Sequence, residues 1–273
     1  MGMPPVDHFS VGFVTPVAAY VISSVGSMLG LLLTSRARVT GGRAGALWLV
    51  GAAFAIGGTG IWTMHFIAML GFSVPGLTIR YDVPLTVASA LIAVVVVGAE
   101  LFLASYGGDR LASLAGGGLL TGAGVASMHY LGMAAMNMSA HVSYDPAVVS
   151  VAVLIAIAAA TVALWFTVRV SGALKIGAAS LVMGLAVAGM HYTGMASMSV
   201  TPHHEPAAVS GAEAIDFLLP LIVGTSLLTV GLLLTVLLSP SERELRSEAA
   251  YRARLRAHDE DAPEMDPSGT PRR

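Results

Sequence analysis

The stretch 189-GMHYTGMASM-198 places one histidine among three methionines inside a long apolar segment. Two relatives of it stand upstream, 127-SMHYLGMAAM-136 and 63-TMHFIAMLGF-72. Aligned on His65, His129 and His191, the three copies agree at several offsets. Methionine precedes each histidine (Met64, Met128, Met190) and an aromatic follows it (Phe66, Tyr130, Tyr192). Methionine returns four residues on (Met69, Met133, Met195), and again at seven as Met136 and Met198, where the first copy has Phe72. Glycine stands seven residues before each histidine (Gly58, Gly122, Gly184). Agreement at so many fixed offsets marks an internal repeat.

The setting of the repeat decides the fold class. Of 273 residues, 55% are hydrophobic and 11% charged, against about a quarter charged in a soluble domain. Apolar blocks longer than about 18 residues run without a charge, long enough to span a bilayer. The expectation is an all-α polytopic membrane protein with seven spans, near residues 9–33, 46–72, 84–106, 115–138, 147–168, 174–198 and 215–238. Residues 1–8 lack a basic region, so no cleavable signal peptide is expected.

Basic residues orient the spans. Arg36, Arg38 and Arg43 follow the first span, Arg110 the third, and Arg169 and Lys175 bracket the turn after the fifth. Seven more arginines follow the seventh span, while Arg80 alone lies on the other side. The positive-inside rule makes the crowded side cytoplasmic, the N-terminus external and the C-terminus internal. Residues 1–238 form the membrane domain and 239–273 a cytoplasmic tail. Ser239, Pro240 and Glu242 stand at N-cap, N1 and N3 positions of a charged helix expected to reach about residue 257. The polar residues after it are expected to be disordered, and the tail is too short for a kinase, cyclase or DNA-binding module.

Each repeat unit is two spans, so all copies keep one orientation and are related by an axis along the membrane normal. The motif falls on spans two, four and six, giving a pseudo-threefold core with the seventh span unpaired. The histidines are expected about 12–15 Å below the outer boundary, from the helical rise. Offsets of four and seven lie on the histidine's own helical face. The stripe therefore reads imidazole, thioether and, in two copies, a second thioether, rising outward. The glycine seven residues back lets helices approach closely.

Cysteine is absent, which excludes disulfides and thiolate ligands. Imidazole with thioether suits copper, Cu(I) especially. Zinc is less suited, lacking thiolate or carboxylate partners, and haem would need a histidine pairing that three equivalent copies do not offer. Methionine in helices is ordinarily gap-filling core. Three histidines buried at one depth are costly and point to function. His141 and His203 each lie twelve residues after a motif histidine. His203 forms an outer-loop cluster with His204 and Glu205 that would capture metal or simply be solvated. Glu100, toward the cytoplasmic end of the third span, is a functional site by default or reaches the interface. Tyr130 and Tyr192 hydrogen-bond or pack. His8 and His258 have no evident role. No phosphate loop, nucleophile elbow or paired acidic motif marks an enzyme, and nothing points to nucleic acid.

MHYT at 190–193, MHYL at 128–131 and MHFI at 64–67 resemble the signature of the bacterial MHYT sensor domain. The resemblance covers all seven spans. The first copy departs from it at Phe66 and Ile67. It implies an inner-membrane signalling module whose motifs bind copper near the outer face and through it sense oxygen, carbon monoxide or nitric oxide. The implied ligands are His65, His129 and His191 with Met64, Met69, Met128, Met133, Met190 and Met195, and Met136, Met198, Glu100, His141, His203 and His204 are accessory candidates. Without an output domain of its own, such a chain would signal through its tail or a cytoplasmic partner. The competing expectation is a copper transporter, or an accessory protein delivering copper to a respiratory enzyme.

Overall fold

The computed structural model describes residues 6–107, 111–203, 208–240, 244, 247, 248 and 250–255. Helix α1 (Val14–Thr40) turns at Gly41, whose φ of 63° favours glycine, into α2 (Gly42–Ala53). Span two continues as a π-helical segment, Phe54–Thr63, and ends as α3 (Met64–Met69). Helices α4 (Val83–Gly107), α5 (Leu111–Ala134), α6 (Pro146–Arg169), α7 (Ala173–Ala196) and α8 (Ala214–Leu238) follow. Among the described residues, six helices are long and apolar enough to cross a membrane: α1, α2 through α3, α4, α6, α7 and α8. α5 is the remaining long helix, with Gly116, Gly117 and Gly118 in a row.

The long helices from α1 to α7 pack as a closed ring. α1 lies against α2 and the π-helical segment, that segment against α4, α4 against α5, α5 against α6, α6 against α7, and α7 back against α1. α8 stands outside the ring, joined to span two by Thr59–Thr229 and Thr63–Thr225 hydroxyl contacts of 2.6 and 2.9 Å.

Glycines permit the ring contacts. A Cβ at Gly122 would strike the Ile157 backbone of α6, and one at Gly184 the Ser24 backbone of α1. In span two the close approach moves to Gly57, where a Cβ would sit 2.6 Å from the Ala93 carbonyl of α4, while Gly58 has room. The π-helical segment explains that shift. Its wider turn, in which the Thr63 hydroxyl bonds to Gly58 O five residues back, displaces the register by one residue. Each motif helix thus presses glycine against the next helix round the ring.

Two arginines expected in the loop after span one lie on α1 instead. Arg36 donates to Val236 O of α8 and lies over the Trp48 ring, and Arg38 donates to Thr167 O and Val170 O at the end of α6. They satisfy carbonyls that helix ends leave open.

The other end carries four short strands that the helical periodicity did not announce. β1 (Arg80–Tyr81) pairs with β2 (Met136–Asn137), and β3 (Ala140–Tyr144) with β4 (Met198–Pro202), both antiparallel. Tyr81 also bridges to Ala212, and Arg80 pairs with Glu213 at 2.9 Å. The segments after α3, α5 and α7 are therefore tied pairwise into a ring of their own. The Tyr81 side chain is enclosed there, and burial pushes its hydroxyl up to about 12.

The chain divides into Met1–Val236 and Leu237–Arg273. In the second unit residues 250–255 are helical and Glu248 pairs with Arg252 one turn on. Glu242 and the tail beyond residue 255 lie outside the described residues.

Gly26→Val tests the glycine contacts, because a Cβ there would meet the Gly60 backbone and lie 2.6 Å from Ala55 O. Neither obstacle is a movable side chain, so a loss of at least about 1–3 kcal/mol is expected from overpacking. Gly116→Ala, facing open space, is expected to leave the detergent-solubilised melting temperature unchanged or raised.

Candidate metal centre

Each motif histidine comes from the last turns of an apolar helix at the strand-bearing end. α3 ends four residues after His65, and α5 and α7 end five residues after His129 and His191. The histidines are thus about 6–8 Å from their helix ends at 1.5 Å per residue. α5 and α7 give way within two residues to strands β2 and β4. Met136 opens β2 and Met198 opens β4, so neither continues the helical stripe, which ends at the +4 methionine.

The three imidazoles meet inside the ring. His65 Nδ1 lies 3.0 Å from His191 Nδ1 and 3.2 Å from His129 Nδ1. Their ring centroids are 4.9 to 5.1 Å apart, and the ring planes stand at 80° to 89° to one another, like propeller blades. All three residues are at most 1% exposed. Each ring is also met edge-on by its own neighbour, Phe66, Tyr130 or Tyr192. The Tyr130 and Tyr192 hydroxyls are buried without a hydrogen-bond partner, so these tyrosines pack.

Glycine makes the convergence possible. A Cβ at Gly132 would lie 2.5 Å from His65 Nε2, and one at Gly194 would strike His129 Nε2. Both glycines stand three residues after a motif histidine. The His65 and His129 imidazoles thus lean across the axis onto the next motif helix. The matching position in the first copy is Ala68.

The protonation arithmetic is unfavourable for three imidazoles alone. A neutral imidazole has one donor and one acceptor nitrogen. The three Nε2 atoms are buried without a partner, and the three Nδ1 atoms face one another. One Nδ1 proton can bridge two rings, but no set of tautomers satisfies all six nitrogens. Each unsatisfied buried group costs about 1–3 kcal/mol.

A cation accepts three lone pairs at once. Two edges of the nitrogen cluster measure 3.0 and 3.2 Å, and one ligand atom from each ring lies within 4.8 Å of the others, a spacing that a central ion with bonds of roughly 2.0–2.1 Å can span. Among the described residues this triad is the one group of three His, Asp or Glu side chains placed to hold a metal ion. Three imidazole nitrogens without carboxylate or thiolate are a donor set that suits copper, zinc, iron or nickel. A haem does not fit between rings already in contact.

The chain matches the family model MHYT, described as a bacterial signalling protein N-terminal repeat, three times, over residues 58–117, 122–179 and 184–247. Each match opens on the glycine seven residues before a motif histidine. The chain belongs to the MHYT family. It is 36% identical over 245 residues to the bifunctional diguanylate cyclase/cyclic di-GMP phosphodiesterase MucR of Pseudomonas aeruginosa, covering 88% of this chain and 36% of the relative. It is 39% identical over 159 residues to the cyclic di-GMP phosphodiesterase NbdA of the same organism, covering 56% of this chain and 20% of the relative. To the signaling protein YkoW of Bacillus subtilis it is 32% identical over 202 residues, covering 68% and 24%. The chain thus spans about a third or less of the length of these relatives. No solved structure matches it.

The other candidate residues of this MHYT chain scatter. Met64, Met69, Met128, Met133, Met190 and Met195 are each at most 2% exposed, in the helices that carry the triad. Met64 packs with Ala19 and Ala68. His141 is exposed on β3 opposite Thr201, and His203 is exposed just past β4. His204 lies outside the described residues. Glu100 does not reach the surface but is buried at 5% exposure.

Sequence reasoning passed over His8. The segment before α1 bridges Asp7 to Ser73, packs His8 on Phe72 and stacks Phe9 on Tyr192, with both ring pairs at 5.7 Å. It covers the first and third motif helices at the strand-bearing end. Burial lowers the His8 pKa, with Asp7 opposing. Eight residues without a periodicity carried no signal for this role. The glycines at +3 were visible, but only the ring geometry gives them a purpose.

Gly132→Ala and Gly194→Ala should each displace an imidazole without removing it. Both are expected to weaken metal retention at least tenfold while circular dichroism stays unchanged. Gly189→Ala, which faces open space, is expected to leave retention at the parent level, read by metal content after dialysis against a chelator.

Proposed function

We propose that this MHYT chain is a membrane sensor that holds one copper ion, as Cu(I), between His65, His129 and His191. The observation that carries the reading is the convergence of three buried Nδ1 atoms that have no complete hydrogen-bonding solution of their own. The methionines Met64, Met69, Met128, Met133, Met190 and Met195 supply the soft, polarizable surroundings that favour Cu(I) over Zn(II). Copper in this setting would be a redox-active centre open to a diatomic gas such as dioxygen, carbon monoxide or nitric oxide, or would itself be the signal. The chain itself does no catalysis in this reading.

In this reading α5 is the seventh crossing. It carries no charged residue between Leu111 and Ala134, packs between α4 and α6, and brings His129 level with its two counterparts. The strand-bearing end faces outward, since Arg80 is the basic residue of that end while Arg36, Arg38, Arg43, Arg169 and Lys175 crowd the other. Metal would then arrive from the external side of the plasma membrane, past the segment that carries His8.

Output follows the hydroxyl contacts. α8 is tied through Thr225 and Thr229 to the π-helical segment that leads directly into His65. Such segments are strained alternatives to the α-helix and gather at functional sites. A shift of His65 on ligand binding is relayed through Thr59 and Thr63 to α8, and from α8 to the residues after it and a cytoplasmic signalling partner. The names of the relatives, which pair this region with cyclic di-GMP enzymes and signalling, support signalling as the role.

Copper content decides the matter. Protein purified from copper-supplemented cells should carry one copper per chain, and the His65→Leu, His129→Leu and His191→Leu variants should each fall to background with their helicity intact. Equal copper in parent and variants would remove the triad as the site.

A further inference from the structure

A second polar feature lies within the ring, farther from the strand-bearing end than the triad. Met190, directly before His191, lines a cavity of about 50 Å³ that also reaches Met183, two turns back on α7, and Glu100 on α4. Thr121 of α5 and Ser27 of α1 complete its polar lining, and the remaining walls are aliphatic. Five helices and the π-helical segment thus contribute to one space. Its volume corresponds to one or two waters at about 30 Å³ each, too small for an organic ligand.

Three facts make this more than a packing defect. Glu100 is 5% exposed, and its Oε1 is buried with no hydrogen-bond partner. Thr121, 3% exposed, stands beside the carboxyl as its hydroxyl neighbour. Gly117 of α5 stands beside the Glu100 side chain, where a Cβ would lie in ordinary contact at 3.9 Å from Glu100 Cγ. No basic side chain lines the cavity among the described residues. A buried acid in an apolar bundle stays ionised only beside a cation and otherwise takes up a proton.

The donors define what compensates it. One carboxylate balances one positive charge; a divalent ion would leave a net charge buried among aliphatic walls. The thioethers of Met183 and Met190 lie seven residues apart on one face of α7, and thioether prefers soft cations over Na⁺ or Mg²⁺. We propose that this cavity is a second cation site, taking one soft monovalent ion of the Cu(I) class between the Glu100 carboxylate and the Met183 and Met190 thioethers. Its argument is independent of whether the triad holds metal. With both sites filled, the ring carries two cation positions in file, joined by Met190 and His191, adjacent on one helix.

Silver(I), a redox-stable probe of the same charge and softness, tests the site by anaerobic equilibrium dialysis of the full chain in detergent. The Glu100→Gln/Met183→Leu variant should bind one Ag(I) fewer than the parent, and a variant lacking all three motif histidines should keep that ion. Met183→Leu alone conserves volume and should weaken the second Ag(I) at least tenfold with an unchanged melting temperature. Unchanged Ag(I) stoichiometry and affinity in both Glu100 and Met183 variants would overturn the proposal. So would a Glu100→Gln/Met183→Leu variant that loses Na⁺ binding while keeping every Ag(I). Failure of the triad reading shows separately, as Ag(I) binding that does not change when the three histidines are removed.

Discussion

Three imidazoles pressed together at 3.0 and 3.2 Å inside an apolar ring of helices set the terms for the rest of the molecule. Their nitrogens cannot all be satisfied by one another. Something must hold them in place against that cost. Glycines at −7 and −8 pull the spans together, glycines at +3 receive the rings, and paired strands tie the three motif helices at one end. The arrangement trades stability for a converged set of lone pairs, which is how a preorganised ligand site differs from a packed core.

The repeat also has a built-in asymmetry. The second and third copies are ordinary α-helix, while the first enters through ten residues of π-helix. That copy is the one whose sequence departs from the family signature at Phe66 and Ile67, and the one with Ala68 in place of a glycine at +3. It is also the one to which α8 is hydrogen-bonded. A threefold site whose members were all alike would have no preferred route outward. The π-helical segment distinguishes one histidine from the other two and connects it to the helix that leaves the ring.

Much of this was legible in the residues. Offsets alone identified the repeat, its three histidines and the glycine stripe, and blocks of apolar residues located the long helices to within a few residues, α1 excepted. α1 begins five residues late because Gly12, with φ of 65°, ends a turn there; it runs past Arg36 and Arg38 because both arginines find carbonyl partners at helix ends. Met136 and Met198 were misplaced because a 3.6-residue period does not reveal where a helix gives way to a strand. The strands themselves are two to five residues long and pair across segments more than fifty residues apart, so no local pattern announces them. Glu100 could be seen as an intramembrane acid, but its cavity is assembled from several helices and has no signature along the chain.

The central claim is that the three Nδ1 atoms are metal ligands, and X-ray absorption at the copper edge tests it most directly. Copper-loaded protein should show a first shell dominated by three nitrogen scatterers at about 2.0 Å with the multiple-scattering pattern of imidazole. A shell made of sulfur alone, or one unchanged when His129 is replaced by leucine, would contradict the account.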